Sequence, residues 1–449
     1  MGKSWPKLIR DPVHDIISFE DKPWDRLLLK LINTREFQRL RRIKQLGMSE
    51  MVFPGANHSR FAHSIGVMHN ARRFLTRIEQ LTGVQITEDQ RTAVLVAALL
   101  HDLGHGPFSH TFEKITSENH ETRTIEVIID NSTEVNRVLR DHHADLPALL
   151  RQFFDEDPDA AANGGLPAHF VQIVSSQLDA DRFDYLLRDA HSTGADYGKF
   201  DSRWIIQHLV LDESHNRLHL SNKAYIAAET YVFARYHMYR AVYFHKTTRA
   251  AEVMLRLMFA RYKELVAKAS KKKKASVVPS TPPAIVAAFT AAGKMTLSDY
   301  LQLDDHAVTQ FLKGCVAATD KTLAQLAGGI LDRKLFKAVD VTDAEEASRQ
   351  RFWIEAGKVL ERAGFDPESF LILDTPADTA YKPYDPDAEK PATQIYVEDS
   401  LGAVKEFGTL SNAVAELRRK YTLIRYYYPE DVREEMDAIA SKHLRREKK

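Results

Sequence analysis

Apolar positions along roughly the first 265 residues recur with the spacing of helices rather than strands. Every residue from 93 to 100 is apolar, as a helix buried on all sides requires. Just ahead, Thr87-Glu88-Asp89-Gln90 has the form of a capping box. Ile65, Met68, Leu75 and Ile78 share one helical face and predict a helix over about 59–81. Pro167 can open another, carried through Val171, Val174, Leu178, Phe183 and Leu186 to about Ala190 and stopped before Gly194. Residues 222–243 and 246–268 read as two long helices, with a short strand at Arg217–Leu220 between earlier elements.

The pattern then breaks. Residues 271–283 hold four consecutive lysines, then Ser, Thr and three prolines, and predict an exposed linker whose lysines are solvated rather than bound to nucleic acid. Helical spacing resumes from 284 to about 364. Residues 393–397 and 421–428 are rich in Ile, Tyr, Val and Thr and predict strands, with a helix over 413–419 between them. The expected organisation is a mainly α core over 1–268, a linker over 269–283, and a C-terminal helical and α+β region over 284–449.

Composition narrows the function classes. Lys+Arg and Asp+Glu are both 62, which disfavours a surface that binds polyanions throughout but leaves room for a local basic pocket. The longest apolar run is far short of the ~20 residues a membrane span needs. No charged-then-apolar leader opens the sequence, and the one cysteine, Cys315, rules out an internal disulfide or a cysteine-based zinc site. A cytoplasmic protein is expected. The 19 histidines stand out, because many fall in the first 250 residues.

His101-Asp102-Leu103-Gly104-His105-Gly106-Pro107-Phe108-Ser109-His110 sits where the buried helix has to end. Its glycines and proline turn the backbone and bring three imidazoles and a carboxylate together. A His-Asp pair at an apolar helix end is costly to bury unless it binds something, and a divalent transition metal (Fe, Mn, Zn or Ni) suits these donors. Further ligands must come from distant segments. Arg60 and His63 share a helix face, an imidazole beside a guanidinium able to fork onto phosphate. Asp181, Tyr185 and Asp189 form an i, i+4, i+8 stripe with Asp184 beside it, whereas Asp179 lies ~200° round from Asp181. Asp181 is therefore the better candidate to face a shared pocket. Arg235, Tyr239 and Tyr243 repeat the spacing, offering rings for a sugar or base and a cation for phosphate.

At this point the chain resembles the HD-domain phosphohydrolases, and within them the deoxynucleoside triphosphate triphosphohydrolases (dNTPases) related to the vertebrate antiviral dNTPase and its bacterial counterparts. The resemblance runs over about residues 7–246. It is carried by Asp11-Pro12-Val13-His14, Phe37-Gln38-Arg39-Leu40-Arg41, Ile43-Lys44-Gln45-Leu46-Gly47, Phe53-Pro54-Gly55-Ala56, His101 through His110, Asp181 through Asp189, and Tyr243-Phe244-His245-Lys246. It implies an HD-domain helical core. It implies one catalytic metal on His63, His101, Asp102 and Asp181, with His105, His110 and His120 bordering the scissile phosphate and Glu113 orienting His110. Gln45 and Leu46 would meet the deoxyribose, Tyr185 and Asp189 its 3′ side, and Arg60, Arg182 and Arg235 the phosphates. Relatives also bind activating nucleotides between subunits. Lys7, Gln38, Arg41, His245 and Lys246 match parts of that regulatory site, while Asn33 replaces a guanine-reading aspartate and Ser221 an arginine.

The expected activity is metal-dependent hydrolysis of a dNTP to deoxynucleoside and tripolyphosphate, with Mg accompanying the nucleotide and a homo-oligomer as the assembly. His110 or His105 would be the general acid. Two other classes stand beside it: an HD-type phosphodiesterase or nuclease, and a non-catalytic nucleotide-sensing oligomer.

Overall fold

The computed structural model describes residues 5–82, 85–108, 110–154, 166–212, 216–271, 277–278, 280–290, 295–378 and 394–444. The fold is mainly α with small sheets, as expected. It opens, however, on an antiparallel hairpin, Lys7–Asp11 with Asp15–Phe19, in register through Ile9 and Ile17. This corrects the all-helical reading of the N-terminal region. Leu8 and Ile16 are 59% and 44% exposed, so only Ile17 and Phe19 show the alternation that marks a strand.

The Arg60–Thr82 and Glu88–Leu100 helices pack as a pair, and Thr87 caps the second through the expected capping box. Residues 93–100 are fully buried, so the helix threads the core and delivers its C-terminal end into the interior. The predicted helix over 167–190 is two helices, Ala168–Val174 and Ala180–Thr193. Asp179 causes the restart: its carboxylate accepts from the Ser176 and Arg182 backbone N–H groups, capping the second helix. Tyr225–Met238 runs into a π turn, Tyr239–Tyr243, before the long Lys246–Lys271 helix.

There are two apolar cores. The first gathers the hairpin and the helices just named up to the π turn; the second surrounds Lys246–Lys271 with Asp305–Val316, Lys321–Leu331 and Glu346–Arg362. Each borrows from afar in the sequence. Arg217–Leu220 lies between Leu209–Asp212 and Tyr396–Glu398, the latter parallel to it, and Val397, Phe407 and Val414 enter the first core. Met48, Phe108 and Phe112 enter the second. Residues 284–364 are not helical throughout: Lys337–Asp340 pairs with Arg425–Tyr428, which also pairs with Ile372–Asp374. Of the C-terminal elements expected, Tyr396–Glu398, Tyr421–Thr422 and Arg425–Tyr428 are strands and Asn412–Glu416 is a short helix; Thr393 lies outside the described residues. So do 272–276 and 279 of the expected linker, while Val278 within it is buried. No described helix is long and apolar enough to cross a membrane.

Candidate active site

The buried Glu88–Leu100 helix ends in a turn at His101–Gly104, and the turn can only sit where it does because residue 104 is glycine. A Cβ there would collide with the His120 carbonyl and the Thr124 backbone N–H. The Gly104 N–H instead donates to Thr124 Oγ1 at 2.9 Å, and its carbonyl accepts from Tyr300 Oη at 2.6 Å. The Thr124 hydroxyl thereby ties the turn to the His120–Ile129 helix, whose backbone lies close against it.

Four predicted ligands converge. His63, from the first turn of Arg60–Thr82, and His101 and Asp102, from the helix end, place donor atoms within 4.8 Å of one another. Asp181, in the first turn of Ala180–Thr193, brings Oδ1 to 3.0 Å from His63 Nε2 and 3.5 Å from His101 Nε2. The tautomers follow from the partners. His63 Nδ1 donates to Asp184 at 2.8 Å and His101 Nδ1 to the Ala98 carbonyl at 3.0 Å. Both Nε2 atoms then face the carboxylates, and both are buried without a hydrogen bond of normal geometry. Such a group of orphaned imidazole nitrogens beside two carboxylates fits a divalent cation and little else.

The electrostatics agree. Burial opposes a proton on His63, but Asp181, Asp184 and Asp102 outweigh it and hold the imidazole's pKa up at about 10. Burial likewise opposes charge on Asp102, yet the Arg60 guanidinium and the two imidazoles bring it down to about 2. The cluster is negative enough to retain protons where a cation would replace them.

Behind His63 stands a shell that sequence reasoning left unassigned. Asp184 accepts from His63, from His14 Nε2 at 2.6 Å, and from both ends of the Arg188 guanidinium at 2.7 and 2.9 Å. Arg188 also donates to Asp11 at 2.9 Å. Gly66 makes room: a Cβ there would overlap Asp184 and Arg188. The i, i+4 spacing of Asp184 and Arg188 was the available signal.

A second group lies beside the first. Glu113 Oε1 is 3.2 Å from His105 Nδ1 and 3.0 Å from His120 Nδ1, and the two rings stand 3.9 Å apart. His105 Nε2 reaches Asp102 at 3.3 Å, joining the groups. Glu113 thus serves His105 and His120; the side chain of His110, its expected partner, lies outside the described residues.

His63, Asp102, Asp181, His105, Glu113 and His120 line one cavity of about 530 Å³, with Gln45, Leu46, Arg60, Arg182, Tyr185, Asp189, Arg235, Tyr243 and Phe244 on its walls. Arg60 is engaged with Asp102, and Arg182 with Asp179 and the Ser176 carbonyl. Asp189 accepts from Tyr243 Oη at 2.8 Å and from His58 Nε2 at 2.7 Å, a histidine the sequence did not single out. The regulatory candidates lie elsewhere. Arg41 stacks 3.5 Å over the Phe61 ring and donates to Gln38, whose amide donates to the Ile32 carbonyl. Lys7 is half-buried on the hairpin, lining a separate cavity with Asn33. His245 meets Phe53 edge-on and Lys246 is exposed.

A paired His-Asp cluster at the end of a buried helix, in a mainly α fold, defines a metal-capable hydrolase site of the HD type. Residues 60–185 match the HD domain, and 200–277 with 283–449 match the HD associated region. The chain belongs to the HD-domain phosphohydrolase family. It is 36% identical over 95% of its length to an uncharacterized protein of Bacillus subtilis, YwfO, covering 93% of that protein. A solved phosphohydrolase from Bacteroides thetaiotaomicron superposes with a TM-score of 0.77 at 28% identity, covering 95% of this chain and 100% of that one. The Dictyostelium discoideum homolog of the deoxynucleoside triphosphate triphosphohydrolase SAMHD1 is 33% identical over 56% of this chain. There the match spans 48% of the relative, about half its length.

Proposed function

We propose that the protein hydrolyses deoxynucleoside triphosphates at the α-phosphorus, releasing deoxynucleoside and tripolyphosphate. The observation that carries this is the composition of the one cavity: a metal-capable set, a proton-holding set and a cationic, tyrosine-bearing wall all face it. A divalent cation held by His63, His101, Asp102 and Asp181 would polarise a phosphoryl oxygen and acidify water. Arg182 and Arg235 would hold the phosphate chain, and Arg60, already against Asp102, would reach the phosphate nearest the metal set. Tyr185, Tyr243 and Asp189 would bound the sugar, with Gln45 and Leu46 opposite. As water adds to the α-phosphorus, the bond to the 5′-oxygen breaks, and that oxygen takes a proton from an imidazole on the Glu113 side: His105, His120 or the neighbouring His110.

Assembly as a homo-oligomer with an activating nucleotide near Lys7, Gln38, Arg41, His245 and Lys246 belongs to the same proposal. Its test is sedimentation and turnover with each candidate nucleotide, in which indifference to all of them removes activation and leaves catalysis standing.

The deciding experiment incubates metal-replete protein with each dNTP, an rNTP and single-stranded DNA, and resolves products by chromatography. Deoxynucleoside with tripolyphosphate is the expected pair. Cleavage of DNA alone would favour the phosphodiesterase class, and intact substrates throughout would favour a sensor.

A further inference from the structure

Further along the Arg60–Thr82 helix from the candidate active site lies a second cavity, of about 470 Å³. Arg72, Arg73 and Arg77 from that helix and Arg203 from Ser202–Gln207 line it, together with His14 and His69. Among the described residues no carboxylate does. Arg72 is neutralised by Asp25 at 2.6 Å. Arg73 has only a neutral hydrogen bond, to Asn70 Oδ1 at 3.3 Å. Arg77 and Arg203 form no ion pair or hydrogen bond among the described residues, and the Arg77 Nε is buried without a partner.

Three guanidinium groups thus face one small concavity with no counter-charge among the described residues, in a protein whose formal net charge is zero. Arginines placed so close repel one another, and burial raises the cost. The field registers on the neighbours. Burial first, then His14, Arg72 and Arg73, push the His69 imidazole down to about 3, and its Nδ1 has no partner. Burial and the Arg203 charge also lower Arg73. A structural role would have supplied carboxylates, as the Arg123 and Arg188 sites do.

We propose that this cavity is a second ligand site, for an oligophosphate. Planar guanidinium forks match phosphate oxygens in pairs, and three uncompensated cations suit a chain of two or three phosphates. The small volume favours a small molecule over a nucleic-acid strand, and apart from the two imidazoles the described wall offers no aromatic ring on which a base could stack. The site therefore reads the phosphate chain, either free inorganic oligophosphate or the tail of a nucleotide. It also touches the catalytic machinery, because His14 on its wall donates to Asp184, which holds His63. The inference stands independently of the substrate proposed above.

The test is titration calorimetry of the full chain, freed of divalent metal, with tripolyphosphate, dATP and dCTP as probes. Arg77→Ala/Arg203→Ala and the single charge reversal Arg203→Glu, at an exposed position, are compared with wild type. The expected result is at least a tenfold weakening of one oligophosphate site in both variants, with melting temperature and cobalt- or zinc-binding stoichiometry unchanged. Tighter binding of tripolyphosphate than of either nucleotide identifies the inorganic source; equal binding of all three identifies the nucleotide tail. Isotherms identical to wild type would overturn the proposal, and so would sulfate competing as well as tripolyphosphate at matched ionic strength.

Discussion

The two histidine clusters in the cavity differ in how their charge is balanced. Around His63 and His101, two imidazoles meet the carboxylates of Asp102, Asp181 and, from behind, Asp184. Around His105 and His120, two imidazoles share Glu113, and His105 alone also reaches Asp102, which belongs to the first cluster. The first is rich in carboxylates and calls for a cation; the second sets its imidazoles against Glu113 and suits proton transfer. Residue types alone would not separate them, since both are histidines and acids within a few ångströms. The count of carboxylates does.

That contrast breaks most sharply at its metal end. Asp102→Ala and His101→Ala should each abolish bound metal and cut hydrolysis by at least about 100-fold, because the set falls below the number of donors that holds an ion. Metal analysis beside turnover checks this, and full metal content in either variant would remove the assignment. Glu113→Gln should cost about 100-fold in turnover, the scale of a general acid–base contribution, while metal content stays at the wild-type level. Parallel loss of metal would merge the two clusters into one.

Acidity sharpens the comparison. Without metal, His63 holds its proton up to about pH 10 against an ordinary 6.5. A raised folded-state pKa contributes stability that is complete below about 6.5 and lost as pH rises through 10. The melting temperature of chelator-treated protein should therefore fall between pH 7 and 10, and added divalent metal should flatten the profile. A flat profile without metal would mean that the carboxylates do not hold that proton. The smallest effect is expected at Asp179→Ala, which removes a helix cap worth about 1 kcal/mol and the partner of Arg182 but leaves metal bound. Equal metal loss in Asp179→Ala and Asp181→Ala would reverse the choice of ligand.

Much of this site was readable in the chain because its signals are local. An apolar run ending in His-Asp and punctuated by glycine can only be a buried helix delivering polar groups inward. Helix periodicity also separates Asp181 from Asp179, although Asp179 turned out to cap the helix rather than face away from within it. What escaped depends on long-range pairing. The break before Asp179 lacks Gly or Pro, and the five-residue step from Leu178 to Phe183 concealed it. The hairpin at the start exposes Leu8 and Ile16, two of the five apolar residues in its strands. Arg73, Arg77 and Arg203 become a group only when Ser202–Gln207 folds back against a helix over a hundred residues earlier.

The Gly104 contact has one more consequence. Because the turn packs its main chain against that of the His120 helix, the interval between the two clusters rests on a close approach that any side chain at 104 would break, and on the Thr124 hydroxyl that accepts from the Gly104 N–H. Side chains on the far wall, such as Phe244, are then at liberty to diverge. A lineage could exchange one substrate for another by rewriting that wall while the reacting centre keeps its measure, and Gly104 itself would be the position least able to change.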